Sequence, residues 1–154
     1  AAGVSNGDGF DGFVHDAEPR LRRALIGAVG ADRVDDAVAE ALAWAFEHSD
    51  ELSAMDNPVG YLYRVGRSKV RYRRQVPLFM APPAAIPDVE PGLIAALGDL
   101  PESQRTSVWL AHGCGWTHAE IAVVMEIAPS TVGTHVSRGL RRLREVMGVV
   151  DAHS

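Results

Sequence analysis

Cysteine is nearly missing from this chain: Cys114 stands alone, which excludes an intrachain disulfide and any zinc site built from several thiolates. Aromatic residues are scarce at 6%, so a core must be assembled from Ala, Leu and Val. No apolar run approaches the roughly 18 residues that a membrane span needs, and membrane insertion is not expected. The first residues, AAGVSNGDGF, have neither a positive charge nor an apolar stretch, so no secretory signal is expected there. A reducing cytoplasm suits such a chain. Strand signals are also missing, because no hairpin turn is flanked by alternating β-branched runs. Neither a Gly-rich phosphate loop, a nucleophile elbow nor a paired-carboxylate pattern occurs. No catalytic residue, cofactor or metal is therefore expected.

What is present is an uneven charge map on a globular composition of 47% hydrophobic and 23% charged residues. The net charge of −5 taken alone would disfavour nucleic acid as a partner. Yet Arg64, Arg67, Lys69, Arg71, Arg73 and Arg74 crowd one stretch without an acid between them, and Arg138, Arg141, Arg142 and Arg144 crowd another. The acids gather elsewhere: eight of them lie between Asp32 and Asp56 against a single Arg33. Two basic patches and one acidic helix suit a protein with two kinds of partner.

Five of the nine prolines fall between Pro77 and Pro91. Such density forbids a continuous helix and marks a semi-stiff linker over 77–91. It divides an N-terminal unit, 10–76, from a C-terminal unit, 92–150. In the first, periodicity predicts a helix over Val14 to Val29. A second has Val34, Val38, Ala41, Leu42 and Ala45 on one face and ends near Phe46. A third begins after Asn57-Pro58 and runs through the basic stretch.

In the second unit, Pro101 opens a helix to about His112, which Gly113 and Gly115 stop. Thr117-His118-Ala119-Glu120 reads as a capping box ahead of a short helix over 118–125. Ser130 is the expected N-cap of a last helix over 131–147, with Val132, Val136, Leu140, Leu143 and Met147 inward. The fold class is all-α: two small helical bundles on a Pro-rich linker, the second holding a helix-turn-helix. Trp109 and Trp116 are expected in the core of that second unit. Two small units on such a tether are expected to bury little surface between them.

A helix of this kind fits the major groove, its first residues reaching base edges and its basic residues reaching phosphates. Ser130, Thr131, Thr134 and His135 are placed for the former, and Arg138, Arg141 and Arg142 for the latter. A solvated helix face or a plain helical hairpin would use the same residues. The basic stretch with Tyr61, Tyr63 and Tyr72 supplies flat rings and cations, the two needs of single-stranded DNA binding. Tyrosines turned into a core would leave only its arginines outside.

The runs Leu100-Pro101-Glu102-Ser103-Gln104-Arg105, Gly115-Trp116-Thr117-His118-Ala119-Glu120-Ile121-Ala122, Ser130-Thr131-Val132 and Arg138-Gly139-Leu140-Arg141-Arg142-Leu143-Arg144 resemble the fourth conserved region of bacterial sigma factors. The small two-domain extracytoplasmic-function group is the nearest in pattern. Asp36 to Leu42 resembles its polymerase-docking helix, and Asn57 to Ser68 its segment that opens and reads the promoter −10 element.

This resemblance implies a factor that binds core RNA polymerase and promoter DNA, is a monomer when free and is held by an anti-sigma protein. It assigns Asp35, Asp36 and Glu40 to polymerase, although acids near a helix start also stabilise the helix on their own. It assigns Tyr61, Arg64, Arg67, Ser68, Arg71, Arg73 and Arg74 to the melted −10 strand, and the last helix to the −35 element. The pattern departs from the family at Ala39 (commonly Gln), Ser68 (commonly Asn), Tyr72 (commonly Asp), and at Gly133 and His135, both commonly basic. Fewer phosphate contacts imply weak DNA binding by the free chain.

Two other readings use the same residues. Glu120-Ile121-Ala122 with Ser130-Thr131-Val132 and Thr134-His135 also resembles the LuxR-type DNA-binding domain, and a degenerate sigma-like module could bind partners without acting at promoters. His112, Cys114 and His118 suggest a partial metal cluster, but capping and packing account for all three.

Overall fold

The computed structural model describes residues 6–71 and 91–148, and every regular element among them is helical. The linker over 77–90, residues Tyr72, Arg73 and Arg74, the side chain of Arg71 and the end of the second unit beyond 148 lie outside the described residues.

Helix α1 (Asn6–Val29) begins well before the expected Val14. Phe10 and Phe13 explain the difference. They extend the apolar stripe by two turns, and Phe10 meets Phe46 edge-on with ring centroids 5.6 Å apart. Gly30, at φ 89°, closes the helix by returning its N–H to the Ile26 carbonyl.

Helix α2 (Val34–Glu47) opens on Asp35 and Asp36 and buries Val34, Ala37, Val38, Ala41 and Ala45, close to the expected stripe. A single turn, α3 (Ser49–Ser53), precedes α4 (Pro58–Arg71), whose start is fixed by Asn57 Oδ1 accepting the Gly60 amide at 3.1 Å. Helix α4 packs across both α1 and α2 through Val59, Leu62, Tyr63 and Val70.

The C-terminal unit starts with α5 (Pro91–Gly98), a helix that periodicity alone does not reveal. Helix α6 (Glu102–Val108) follows Pro101 as expected, but its last turn, Trp109–Gly113, widens to a π turn closed by the Cys114 amide on the Trp109 carbonyl at 3.0 Å. The capping box ahead of α7 (His118–Met125) is complete: Glu120 N–H donates to Thr117 Oγ1 at 3.0 Å, and Thr117 N–H donates to Glu120 Oε1 at 2.8 Å.

Helix α8 (Pro129–Val146) differs at its start. Its N-cap is Ala128, and Pro129 takes the first helical position, so Ser130 lies inside the first turn instead of capping it. Val132, Val136 and Leu143 are buried as expected, with Leu140 and Met147 half-buried. Gly139 is buried too, because α6 approaches so closely that a Cβ there would stand 2.5 Å from Val108 Cγ2.

The two units do not stand apart. One apolar cluster runs through both, with α1 against α6 and its π turn, and α4 against α7. The expectation of little shared surface fails because apolar side chains of α6 and the π turn find seats on α1, while α4 meets α7 and Trp116. Trp109 is the largest of them. It is buried at 2% exposure against α1, and its indole N–H donates to the Arg23 carbonyl at 2.7 Å. Trp116 is half-buried and meets the Tyr63 ring edge-on at 5.4 Å. Both tryptophans therefore serve the seam between units, not the private core expected of them.

Candidate nucleic-acid interface

The outer face of α8 is as the spacing of its residues requires. Thr134, Arg138, Arg141 and Arg142 are exposed, Thr131 and His135 are half-buried beside them, and Ser130 is exposed at the N-terminal end. The apolar stripe pins the opposite side, so residues three, four and seven apart present one surface. Thr134 Oγ1 donates to the Ser130 carbonyl at 3.3 Å, which fixes the hydroxyl near the helix start. No side chain caps α8; Pro129 has no N–H to give, and the Thr131 and Val132 amides donate to the Ala128 carbonyl at 3.0 and 3.1 Å. Gly133 faces His118, whose ring lies 3.8 Å from where a Cβ would be.

The second surface lies on α4 and α2. Tyr61 is 38% exposed, and its ring lies 4.9 Å from that of Trp44, which in turn stacks on His48 at 4.1 Å. Trp44, Tyr61, Arg64, Val65, Ser68 and Lys69 line an open cavity of about 370 Å³. Rings beside cations at the mouth of such a cavity suit an unstacked base with its phosphates. Trp44 was not foreseen there. It sits far from Tyr61 in sequence, and only the packing of α2 on α4 brings the rings together.

Three expected residues behave differently. Tyr63 is buried, with 1% exposure, and desolvation pushes its phenol up to about 12 against the opposing pull of Arg67. It cannot serve as a platform for bases. Arg64 and Arg67 are not free cations: Arg64 pairs with Glu126 at 3.1 Å and Arg67 with Glu102 at 2.9 Å, both acids belonging to the other unit. Ser68 lines the cavity.

The acids assigned to polymerase all lie on α2. Asp36 is exposed, Asp35 pairs with Arg22 of α1, and Glu40 approaches Lys69 of α4 at 3.7 Å. Asp35 also raises the pKa of Arg22 by its hydrogen bond, with Glu18 adding to the effect.

Cys114 lies half-buried beside the π turn, and burial pushes its thiol up to about 12, with Arg23 acting weakly the other way. Burial of this kind disfavours the thiolate, the reactive form of the side chain. Among the described residues, no three His, Cys, Asp or Glu side chains gather as a metal site, and His112 and His118 are exposed separately. No described helix is long and apolar enough to cross a membrane.

Residues 92–143 match the family model for sigma-70, region 4. No curated protein sequence matches the chain. Among solved structures, the sigma factor RpoE in complex with the anti-sigma factor NepR from Bartonella quintana superposes with a TM-score of 0.75 at 23% identity, over 92% of this chain and 98% of that one. CnrH in complex with the cytosolic domain of CnrY gives 0.68 at 21% identity, over 92% of this chain and 89% of that one. Residues 92–143 are thus similar to sigma-70 region 4, set in a chain that shares the fold of the sigma factor RpoE.

Proposed function

We propose that this chain is a sigma factor of the extracytoplasmic-function type, which binds core RNA polymerase and directs it to promoters. The carrying observation is the coincidence of two independent results. The segment matched to sigma-70 region 4 is the one whose last helix shows Thr134, Arg138, Arg141 and Arg142 on an open face. The −35 element is read there, with Thr131, Thr134 and His135 toward base edges and the arginines toward phosphates. The cavity at Trp44 and Tyr61, with Arg64, Ser68 and Lys69, receives the melted −10 strand. Asp35, Asp36 and Glu40 face the polymerase. The chain works in the cytoplasm by binding, with no reaction of its own.

The similar solved structures each hold a second protein, in one case a named anti-sigma factor. An inhibitor of that kind, bound across both units, is the expected regulator. The test is reconstitution with core RNA polymerase and run-off transcription on a library of genomic promoters. Initiation at a defined subset supports the reading. Transcripts no different from core enzyme alone would refute it.

A further inference from the structure

The aromatic end of the cavity on α4 has an internal order. Three rings follow one another: His48 lies on Trp44 with centroids 4.1 Å apart and planes 11° apart, and Trp44 lies 4.9 Å from Tyr61 with planes inclined by 39°. Tyr61 belongs to α4, Trp44 to α2, and His48 is the C-cap of α2. Tyr61 is the exposed member, at 38%, and the other two are half-buried.

These distances decide where a fourth ring can go. A flat base held between two plates needs them about 7 Å apart, twice the contact distance of carbon atoms. Neither gap in the row is that wide, so no base enters between Trp44 and His48 or between Trp44 and Tyr61. The place left is the outer side of Tyr61, beyond which Arg64, Ser68 and Lys69 follow along α4. The helix rises about 12 Å from Tyr61 to Lys69, which gives room for a base at the ring end and its phosphates at the cations.

An exposed tyrosine that swings freely makes a poor plate, because its motion must be stopped when a base docks. Trp44 stands behind Tyr61, and His48 stands behind Trp44. His48 Nδ1 lies 2.8 Å from the Trp44 carbonyl, and since a carbonyl only accepts, that nitrogen carries the hydrogen. The imidazole is thus tied to the backbone of the residue on which it stacks, and it cannot turn without losing both contacts. We propose that Trp44 and His48 are positioning residues for Tyr61: the outermost ring of the row receives one unstacked base, and the two inner rings keep its plane fixed. This rests on the promoter reading only for the source of that base, a melted strand.

The test is binding of the full chain, at low salt, to a short single-stranded DNA of mixed sequence and to a strand of equal length built of abasic sites. Tyr61→Ala should weaken binding to the first by about fivefold or more, the worth of one stacked base. His48→Ala leaves Tyr61 itself untouched, yet should weaken it by about 2- to 12-fold, the worth of one aromatic pair. His48→Phe keeps a flat ring, gives up the Nδ1 bond and should retain most of the affinity. Trp44→Leu fills space without a plate and should lose at least as much as His48→Ala. None of the four should change binding to the abasic strand, and helicity should stay as it is.

A merely structural role for His48 would lower affinity for both strands alike or for neither, and either result overturns the positioning role. So does His48→Phe losing as much as His48→Ala, or Trp44→Leu matching the unmodified chain. An unmodified chain that binds the base-bearing strand no better than the abasic one overturns it as well. The two claims fail separately. Base-dependent losses in a chain that directs no promoter transcript remove the promoter reading and keep the ring row. Promoter-directed transcription by a chain whose strand affinity is indifferent to His48 does the reverse.

Discussion

Glu126 is held at φ 58°, a left-handed conformation that side chains other than glycine adopt at a cost of about 1 kcal/mol. It ends α7, where glycine is the usual solution. Glu126→Gly relieves this strain but also removes the exposed pair with Arg64, so stability should rise by a net of up to about 0.8 kcal/mol, a gain of no more than about 3 °C in Tm for a chain of this size, measured by thermal unfolding. At the other end of the same helix, Thr117→Ala removes the acceptor of the Glu120 amide and should cost about 1 kcal/mol in the same experiment. The Thr117 box is legible in sequence because it is local. The strain at Glu126 is not, since nothing in the residue type announces a left-handed backbone.

At the level of elements, α8 depends on a close crossing with α6. Gly139 lets Val108 approach to within 2.5 Å of where a Cβ would be, and neither backbone can retreat without unseating Val136 and Leu143. Gly139→Ala should destabilise the C-terminal unit by about 1–3 kcal/mol despite the better helix propensity of alanine, visible as an earlier urea transition by circular dichroism. The outer face should be separable from this. Arg138→Ala and Arg141→Ala are expected to weaken promoter binding alike on all −35 sequences and flatten its salt dependence, whereas Thr134→Ala should change which sequences are preferred. Fluorescence anisotropy across salt concentrations, with the chain bound to polymerase, checks both. The 3.6-residue period of polar and apolar positions made this face readable from sequence. The role of Gly139 required knowing which helix lies over it.

For the whole molecule, the seam makes stability sensitive to alkali. The thiol of Cys114 rises from an ordinary 9.0 to about 12, and the phenol of Tyr63 from 10.0 to about 12, both through burial. Each group is held neutral in the folded chain and ionises more readily when unfolded. Its contribution is complete below its ordinary value and is lost as pH climbs through the raised one. Stability to urea should be level with respect to these two groups below about pH 9 and fall between pH 9 and 12. Cys114→Ala should delay the onset, and Tyr63→Phe should shallow the later part of the fall. Unfolding curves that show no steeper decline in the unmodified chain than in the double variant would contradict this.

Amino-acid order alone settled what depends on near neighbours. The helical periods of α2, α4 and α8, the capping box at Thr117, the turn from 126 to 129 and the arginine face of α8 all follow from residues within a few turns of one another. Order alone could not decide what depends on distant ones. Trp109 and Tyr63 look alike as buried or exposed aromatics until α1 and α4 are laid against α6 and the π turn. Arg64 and Arg67 read as free cations until Glu126 and Glu102 arrive from the far side of a proline-rich stretch. Helix formation is a local free-energy balance, whereas the match of a tryptophan to its seat on another helix is a property of two surfaces in three dimensions.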